Sequence, residues 1–301
     1  MIINQINKNL IYTVCLLIIG AILYGHTLWF SFTALDDNEL IFQNIKKFQD
    51  FSNFPNLFLN SIDQSVNAPF YRPLLMVSFV IDSLAGNGSL FSFHFTNLVI
   101  HILVSMLVFV FFEMVTNSKK SAFLVAILFL VHPIHTQAVV WIPGRNDTLL
   151  TLFSLSAVIS LMKYLKTTKT VWFFLNIISF LFAMYTKEQA VLLIFIFGYL
   201  SYSSYKNSKF LALFLLWAAT SLLFLIPRSL IMAGDFIFNI QSYPIFMAGI
   251  IKAFIISVGK VVLPVYQSVL PSTSSTPIWP GILSIMVILI LTFTGKILNR
   301  H

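Results

Sequence analysis

Charge is what this sequence has least of. Lys, Arg, Asp and Glu make up 9% of the 301 residues, against 58% hydrophobic and 16% aromatic residues, with 32 phenylalanines. A water-soluble domain needs more charge than this on its surface. Apolar runs of about 18 residues or more read as membrane spans. The runs are continuous, not alternating, which excludes a transmembrane β-barrel. Cysteine occurs once, at Cys15 inside the first run, so neither a disulfide framework nor a cysteine metal site is expected. Glycine-rich nucleotide loops and 34-residue repeats are both missing. The net charge of +8 does not imply a nucleic-acid partner, because the lysines mostly fall in short loops, where they orient a membrane protein.

What is there is an all-α polytopic membrane pattern. Nine apolar segments can be drawn, roughly 10–33, 91–113, 121–141, 147–165, 170–186, 188–204, 210–227, 246–265 and 278–296. They predict a bundle of about eight or nine transmembrane helices in a single membrane-embedded domain over 1–301. The first run has too many others after it to be a cleaved signal peptide. Lys8, Lys119, Lys120, Lys163, Lys166, Lys169, Lys206 and Lys209 fall in alternate loops, so the N-terminus is expected in the cytoplasm and the intervening loops outside. The first outer loop, 34–90, is the longest; its apolar stretch from Pro73 to Leu84 is too short to cross and is expected at the interface. Beyond Pro244 two readings stay open. Either 246–265 crosses fully, or it dips in and returns, leaving the last basic residues cytoplasmic.

Acids and arginines collect on one side of this scheme. Asp36, Asp37 and Glu39 follow directly on the first run. Carboxylates beside hydrocarbon are costly and are functional candidates by default; a solvated helix end is the plain alternative. The chain has four arginines, and Arg72, Arg145 and Arg228 all map to the outer loops. Arginine's planar fork grips phosphate in two places, so these three with Lys187 form a candidate site for an anionic lipid phosphate, against interfacial snorkelling as the alternative. Glu188 and Lys187 could instead pair with each other across a tight turn. Asp147 is expected to cap the helix that follows it. His94, Asn97 and His101 share one helix face and are expected to hydrogen-bond between helices. His132 and His135 close the third run; two neutral ligands are a weak metal signal, and His135 could touch a substrate.

These islands resemble a known family. Leu35-Asp36-Asp37 resembles the acidic pair ending the first span of GT-C glycosyltransferases. Tyr71-Arg72-Pro73-Leu74 and Phe93-His94-Phe95-Thr96-Asn97-Leu98 with His101 resemble "FRPL…FHLTNLLLH". His132-Pro133-Ile134-His135-Thr136-Gln137-Ala138-Val139 and Gly144-Arg145-Asn146-Asp147 resemble "HPIHTEAV…GRxD". Thr186-Lys187-Glu188-Gln189-Ala190 resembles "SKExA", and Pro264 falls at an "LLPLxLS" segment. The ordered set is similar to the membrane half of protein O-mannosyltransferase-like proteins that carry tetratricopeptide repeats. Gln137 stands where such proteins have an acid, and no repeat follows before His301, so a short form and a truncated product are both open.

The resemblance implies an inverting transferase that moves a sugar from a polyprenyl-phosphate-linked donor to a hydroxyl of an acceptor protein or glycan, at the outer face of a bacterial inner membrane. Asp36 and Asp37 would be catalytic, with Asp36 as general base. Arg72, Arg145, Lys187 and Arg228 would hold the donor phosphate. His94, Asn97, His132, His135 and Glu188 would lie near the substrate or be structural. No cofactor is expected; Asp36, Asp37 and Glu39 could hold a divalent cation. A secondary transporter is the alternative, but its charges would sit near the midplane in two related halves. A non-catalytic remnant of the family is the third reading.

Overall fold

The computed structural model describes residues 2–33, 36–50, 52, 54–59, 70–204, 208–232, 243–267 and 273–298. Where the sequence suggests one domain, the chain separates into two compact units. One comprises 1–131 and 138–236; the other comprises 132–137 and 237–301.

The larger unit is a helical bundle. Its main helices are α1 (Ile2–Tyr24), α2 (Pro73–Ala85), α3 (Leu90–Thr116), α4 (Lys119–Val131), α5 (Arg145–Thr167), α6 (Thr170–Thr186), α7 (Leu193–Ser204) and α8 (Ser208–Ile231). The smaller unit contains α9 (Tyr243–Val262) and α10 (Trp279–Leu298). Each apolar segment drawn from the sequence coincides with helix. The expected interfacial stretch forms α2, which starts on Pro73 at its first position, where proline's missing N–H costs nothing. α3 and α5 stop on Asn117 and Thr168, both left-handed with φ of 53° and 55°, which turns the chain and satisfies the last carbonyls. The third segment breaks at His132, held extended as proline demands of the residue before it.

By length and hydropathy, four described helices can cross a membrane (9–29, 90–116, 142–167 and 210–231), or five if the broken pair 119–131 and 133–140 is one span. This is fewer than the eight or nine drawn from hydropathy. α6, with 17 residues, reaches only about 25 Å at 1.5 Å per residue, short of a hydrocarbon core of about 30 Å. The polytopic all-α class stands.

Apolar clusters of described residues knit the larger unit, two of them large. Leu16, Phe79, Phe93, Val104, Ala126 and Leu130 lie in one, and Tyr71, Phe180, Phe197, Trp217 and Phe224 in the other. Polar side chains tie helices together at a few points. Asn176 donates to the Ala157 carbonyl (3.0 Å) and accepts from the Trp217 indole (2.9 Å), which ties α5, α6 and α8. In the smaller unit α9 is one helix of 20 residues, and it is not among the described helices long and apolar enough to cross a membrane. It packs backbone to backbone on α10. A Cβ added at Gly281 would meet the Ile255 carbonyl oxygen at 2.0 Å, and one at Gly259 would meet the Gly281 nitrogen at 2.5 Å.

Candidate active site

The acid pair sits where α1 runs out. The Thr27 hydroxyl closes the last turn on the Tyr24 carbonyl at 2.7 Å. The chain then extends and re-forms as a single helical turn over Asp37–Leu40. The two neighbours part company there: Asp36 is exposed and Asp37 is 1% exposed. The Asp37 carboxylate accepts from the Thr33 backbone N–H (2.6 Å) and the Thr33 hydroxyl (2.8 Å). The buried Trp141 indole N–H faces the same carboxyl group without a well-formed hydrogen bond. Burial pushes the Asp37 pKa above the usual 3.8; the Thr33 donors pull against it, and the charge of Asp36 adds to the rise. Burial, more than like-charge repulsion, thus separates the two acids.

Arg145 is fully buried and its donors are committed inside the chain. Nη2 pairs with Asp82 Oδ2 at 2.5 Å and donates to the Phe93 carbonyl at 2.7 Å. Nε donates to Asn97 Oδ1 at 2.5 Å and Nη1 to Ser78 Oγ at 3.0 Å. The guanidinium also lies 5.0 Å from the centre of the Phe79 ring. Asn97 hands the connection on: its amide donates to the Val139 carbonyl at 3.0 Å and the Trp141 carbonyl at 3.3 Å. Asp82 also accepts from the Thr96 hydroxyl at 2.5 Å; burial raises its pKa, and Arg145 and Thr96 oppose the rise. One buried network therefore joins α2, α3, α5 and the 139–142 turn, and the Trp141 indole on that turn lies beside Asp37. A guanidinium so enclosed has no fork left for a lipid phosphate, so the geometry gives Arg145 a different place from the one its sequence position suggested.

The other cations lie at the same end of the bundle. Arg72 is 3.5 Å from Glu188 and stacks 4.2 Å over the Phe70 ring. Lys187 reaches Asp147 at 2.5 Å and Asn146 at 3.4 Å. Lys187 and Glu188 therefore pair with residues far along the chain, and Asp147 meets Lys187 across the bundle. Arg228 follows Phe224 by one turn of α8. Phe224 packs on Tyr71 at 5.7 Å and Tyr185 at 5.5 Å, which places Arg228 at the end that carries Arg72. The Nε atoms of Arg72 and Arg228 are buried without a hydrogen-bond partner, and Arg228 has no ion-pair partner among the described residues. Beside them burial lifts the Tyr71 phenol to about 12, and its hydroxyl donates to the Phe58 carbonyl at 3.1 Å.

The histidines divide. His101 is buried, bonds the Leu130 carbonyl at 3.1 Å and stacks on Phe129, so it joins α3 to α4. His94 is buried, edge-on to Phe30 at 6.4 Å. In the smaller unit His132 Nδ1 accepts from the Ile134 N–H at 3.2 Å, and its ring centre lies 6.1 Å from that of His135. Among the described residues no three His, Cys, Asp or Glu side chains group as metal ligands. Asp82 escaped the sequence reading. Its one signal is a lone acid in the apolar run Leu74–Leu84.

The larger unit is thus an all-helical bundle with membrane-capable helices, an acid pair after its first span and cations at the same end. The chain belongs to the dolichyl-phosphate-mannose-protein mannosyltransferase family, whose model matches residues 72–232. That segment holds Arg72, Asp82, Asn97, Arg145, Lys187 and Arg228; Asp36 and Asp37 precede it. Protein O-mannosyl-transferase TMTC3 of Homo sapiens is 29% identical over 185 residues, 58% of this chain and 20% of that protein. Protein O-mannosyl-transferase TMTC2 of Homo sapiens is 31% identical over 157 residues, 50% and 18%. Protein O-mannosyl-transferase TMTC1 of Mus musculus is 38% identical over 96 residues, 32% and 10%. The chain thus spans a fifth or less of the length of these curated relatives. No solved structure matches it.

Proposed function

We propose that this protein transfers a sugar from a polyprenyl-phosphate-linked donor to a hydroxyl of an acceptor protein, at the outer face of the membrane in which its helices lie. The observation that carries the reading is the split acid pair, exposed Asp36 beside buried Asp37, at the end of the first span in a chain of this family.

In the proposed step the acceptor oxygen attacks the anomeric carbon on the face opposite the phosphate. Asp36 takes the hydroxyl proton as the new C–O bond forms, and the bond from carbon to phosphate oxygen breaks with inversion. Asp37, fixed by Thr33, is the positioning neighbour. The departing lipid phosphate gains charge, which Arg72 and Arg228 stabilise with Lys187 nearby; fixed cations aimed at developing charge cost no reorganisation during the reaction. Arg145 holds the turn that backs the acid pair. Cations do the charge work in this scheme, so no divalent metal is invoked.

Membranes containing the protein, given a polyprenyl-phosphate-linked mannose with labelled sugar, test the reading. Label passing to protein in excess of membranes lacking the chain is the expected result. No transfer and no release of label above that background would overturn it.

A further inference from the structure

Two buried polar atoms at the acid pair face each other, and neither has a well-formed hydrogen bond. Both Thr33 donors fall on Asp37 Oδ2. Asp37 Oδ1 is buried and without a partner, and so is the Trp141 indole Nε1. The group that this indole faces is the Asp37 carboxyl. An indole N–H only donates and a carboxylate only accepts, so the two orphans are complementary. Buried polar groups cost free energy until they are paired.

The indole is held from behind. The single turn Asp37–Leu40 packs against the turn Ile142–Gly144. Trp141 opens that second turn in an extended conformation. Its carbonyl accepts from the Asn97 amide at 3.3 Å and from the Gly144 N–H at 3.0 Å. Asn97 is in turn gripped by Arg145, which is paired with Asp82. The buried network therefore ends on the backbone of the residue whose side chain meets the acid pair.

We propose that the Trp141 indole N–H is the second anchor of Asp37, donating to Oδ1 as Thr33 donates to Oδ2, with the Arg145–Asn97 network as its mount. Hydrogen bonds in a working site are often loose in the free enzyme and tighten in the loaded one. Held on both oxygens, Asp37 keeps one orientation beside Asp36. Trp141 is then a positioning residue; that role rests on the transferase reading, and the bond itself does not.

The bond is tested without turnover. A hydrogen bond to the charged form of an acid favours that form, so its loss should move the Asp37 titration upward. The charged neighbour of Asp37 is Asp36, and the turn packed against it, 141–144, has no charged residue. In the full chain in detergent, Trp141 is replaced by phenylalanine and by benzothienylalanine, which keeps the ring shape and has sulfur where the indole has N–H. Thermal unfolding across pH should show the downward step of Asp37 moved up by about one pH unit in both, the tenfold worth of one hydrogen bond to a charged group. In D37N, where no step remains, neither replacement should create one. A step unmoved by benzothienylalanine, or absent from the wild type, overturns the anchor. Single-turnover transfer tests the positioning role: the same replacement should slow it about tenfold with donor binding unchanged. A wild-type rate in a variant whose step has moved overturns that role. A wild type that transfers nothing overturns the transferase reading, and the pH profile still decides the bond. Should neither variant fold, the ultraviolet difference spectrum of the wild type on titration decides. An indole band that follows the Asp37 step and is missing from D37N supports the anchor, and its absence from the wild type refutes it.

Discussion

Asp36 and Asp37 are adjacent in the chain and opposite in environment, and their variants should differ accordingly. Asp37 has its pKa raised in the folded protein, so the native state holds a proton that the unfolded chain has lost. Its contribution to stability is therefore present below the ordinary value of 3.8 and is lost as pH rises through the raised value. Thermal unfolding in detergent across that window should show a downward step in the wild type that Asp37→Asn flattens. Identical pH profiles would mean that the carboxyl is solvated. The buried pair makes a second prediction at this scale. Removing one partner of such a pair costs about 3–5 kcal/mol, whereas replacing both with apolar residues is often near neutral. Asp82→Leu and Arg145→Leu should each destabilise strongly, and the double variant less than either; additive losses in a double-mutant cycle would dissolve the network. The sequence shows Arg145, Asn97 and His101 as polar residues out of place, and it shows the shared helix face. It does not show where Arg145 ends. Its partner Asp82 lies 63 positions away, and a pairing across that distance leaves no local spacing to read. For the same reason Lys187 and Glu188, neighbours in sequence, find Asp147 and Arg72 instead.

At the scale of elements, hydropathy runs translate directly into helices, because a backbone in hydrocarbon must satisfy its own hydrogen bonds. The 121–141 run was drawn straight through Pro133, yet the helix breaks at His132 for a local reason, proline's restriction of its predecessor. Length was the harder quantity. Hydropathy marks where a helix is apolar, not where its last turn ends, so α6 reads as a span yet falls short. The α9 and α10 crossing was illegible as well, since a glycine's role there depends on what approaches it. Gly281→Ala places a methyl group on the Ile255 carbonyl, which the backbone cannot yield. Overpacking of this kind costs typically about 1–3 kcal/mol. Limited proteolysis of the variant in detergent should cut the 263–280 connection faster than in wild type. Equal rates would show that the crossing tolerates separation.

At the scale of the larger unit, Asp36, Asp37, Arg72, Arg145 and Arg228 lie at one end of the bundle, and Lys119, paired with Glu113, lies at the other. That polarity suits the proposed transferase working at one membrane face, and the proposal that cations take the place of a metal has a direct consequence. Turnover should survive EDTA; abolition by the chelator with restoration by magnesium or manganese would return Asp36, Asp37 and Glu39 to the role of metal ligands. The most direct test of the account is single-turnover sugar transfer from polyprenyl-phosphate-linked mannose by the wild type and Asp36→Asn, with donor binding measured separately. Asparagine keeps the shape and loses the basicity. The account predicts a rate lower by about 10²–10⁴-fold with donor binding nearly intact. Wild-type transfer by Asp36→Asn would contradict it.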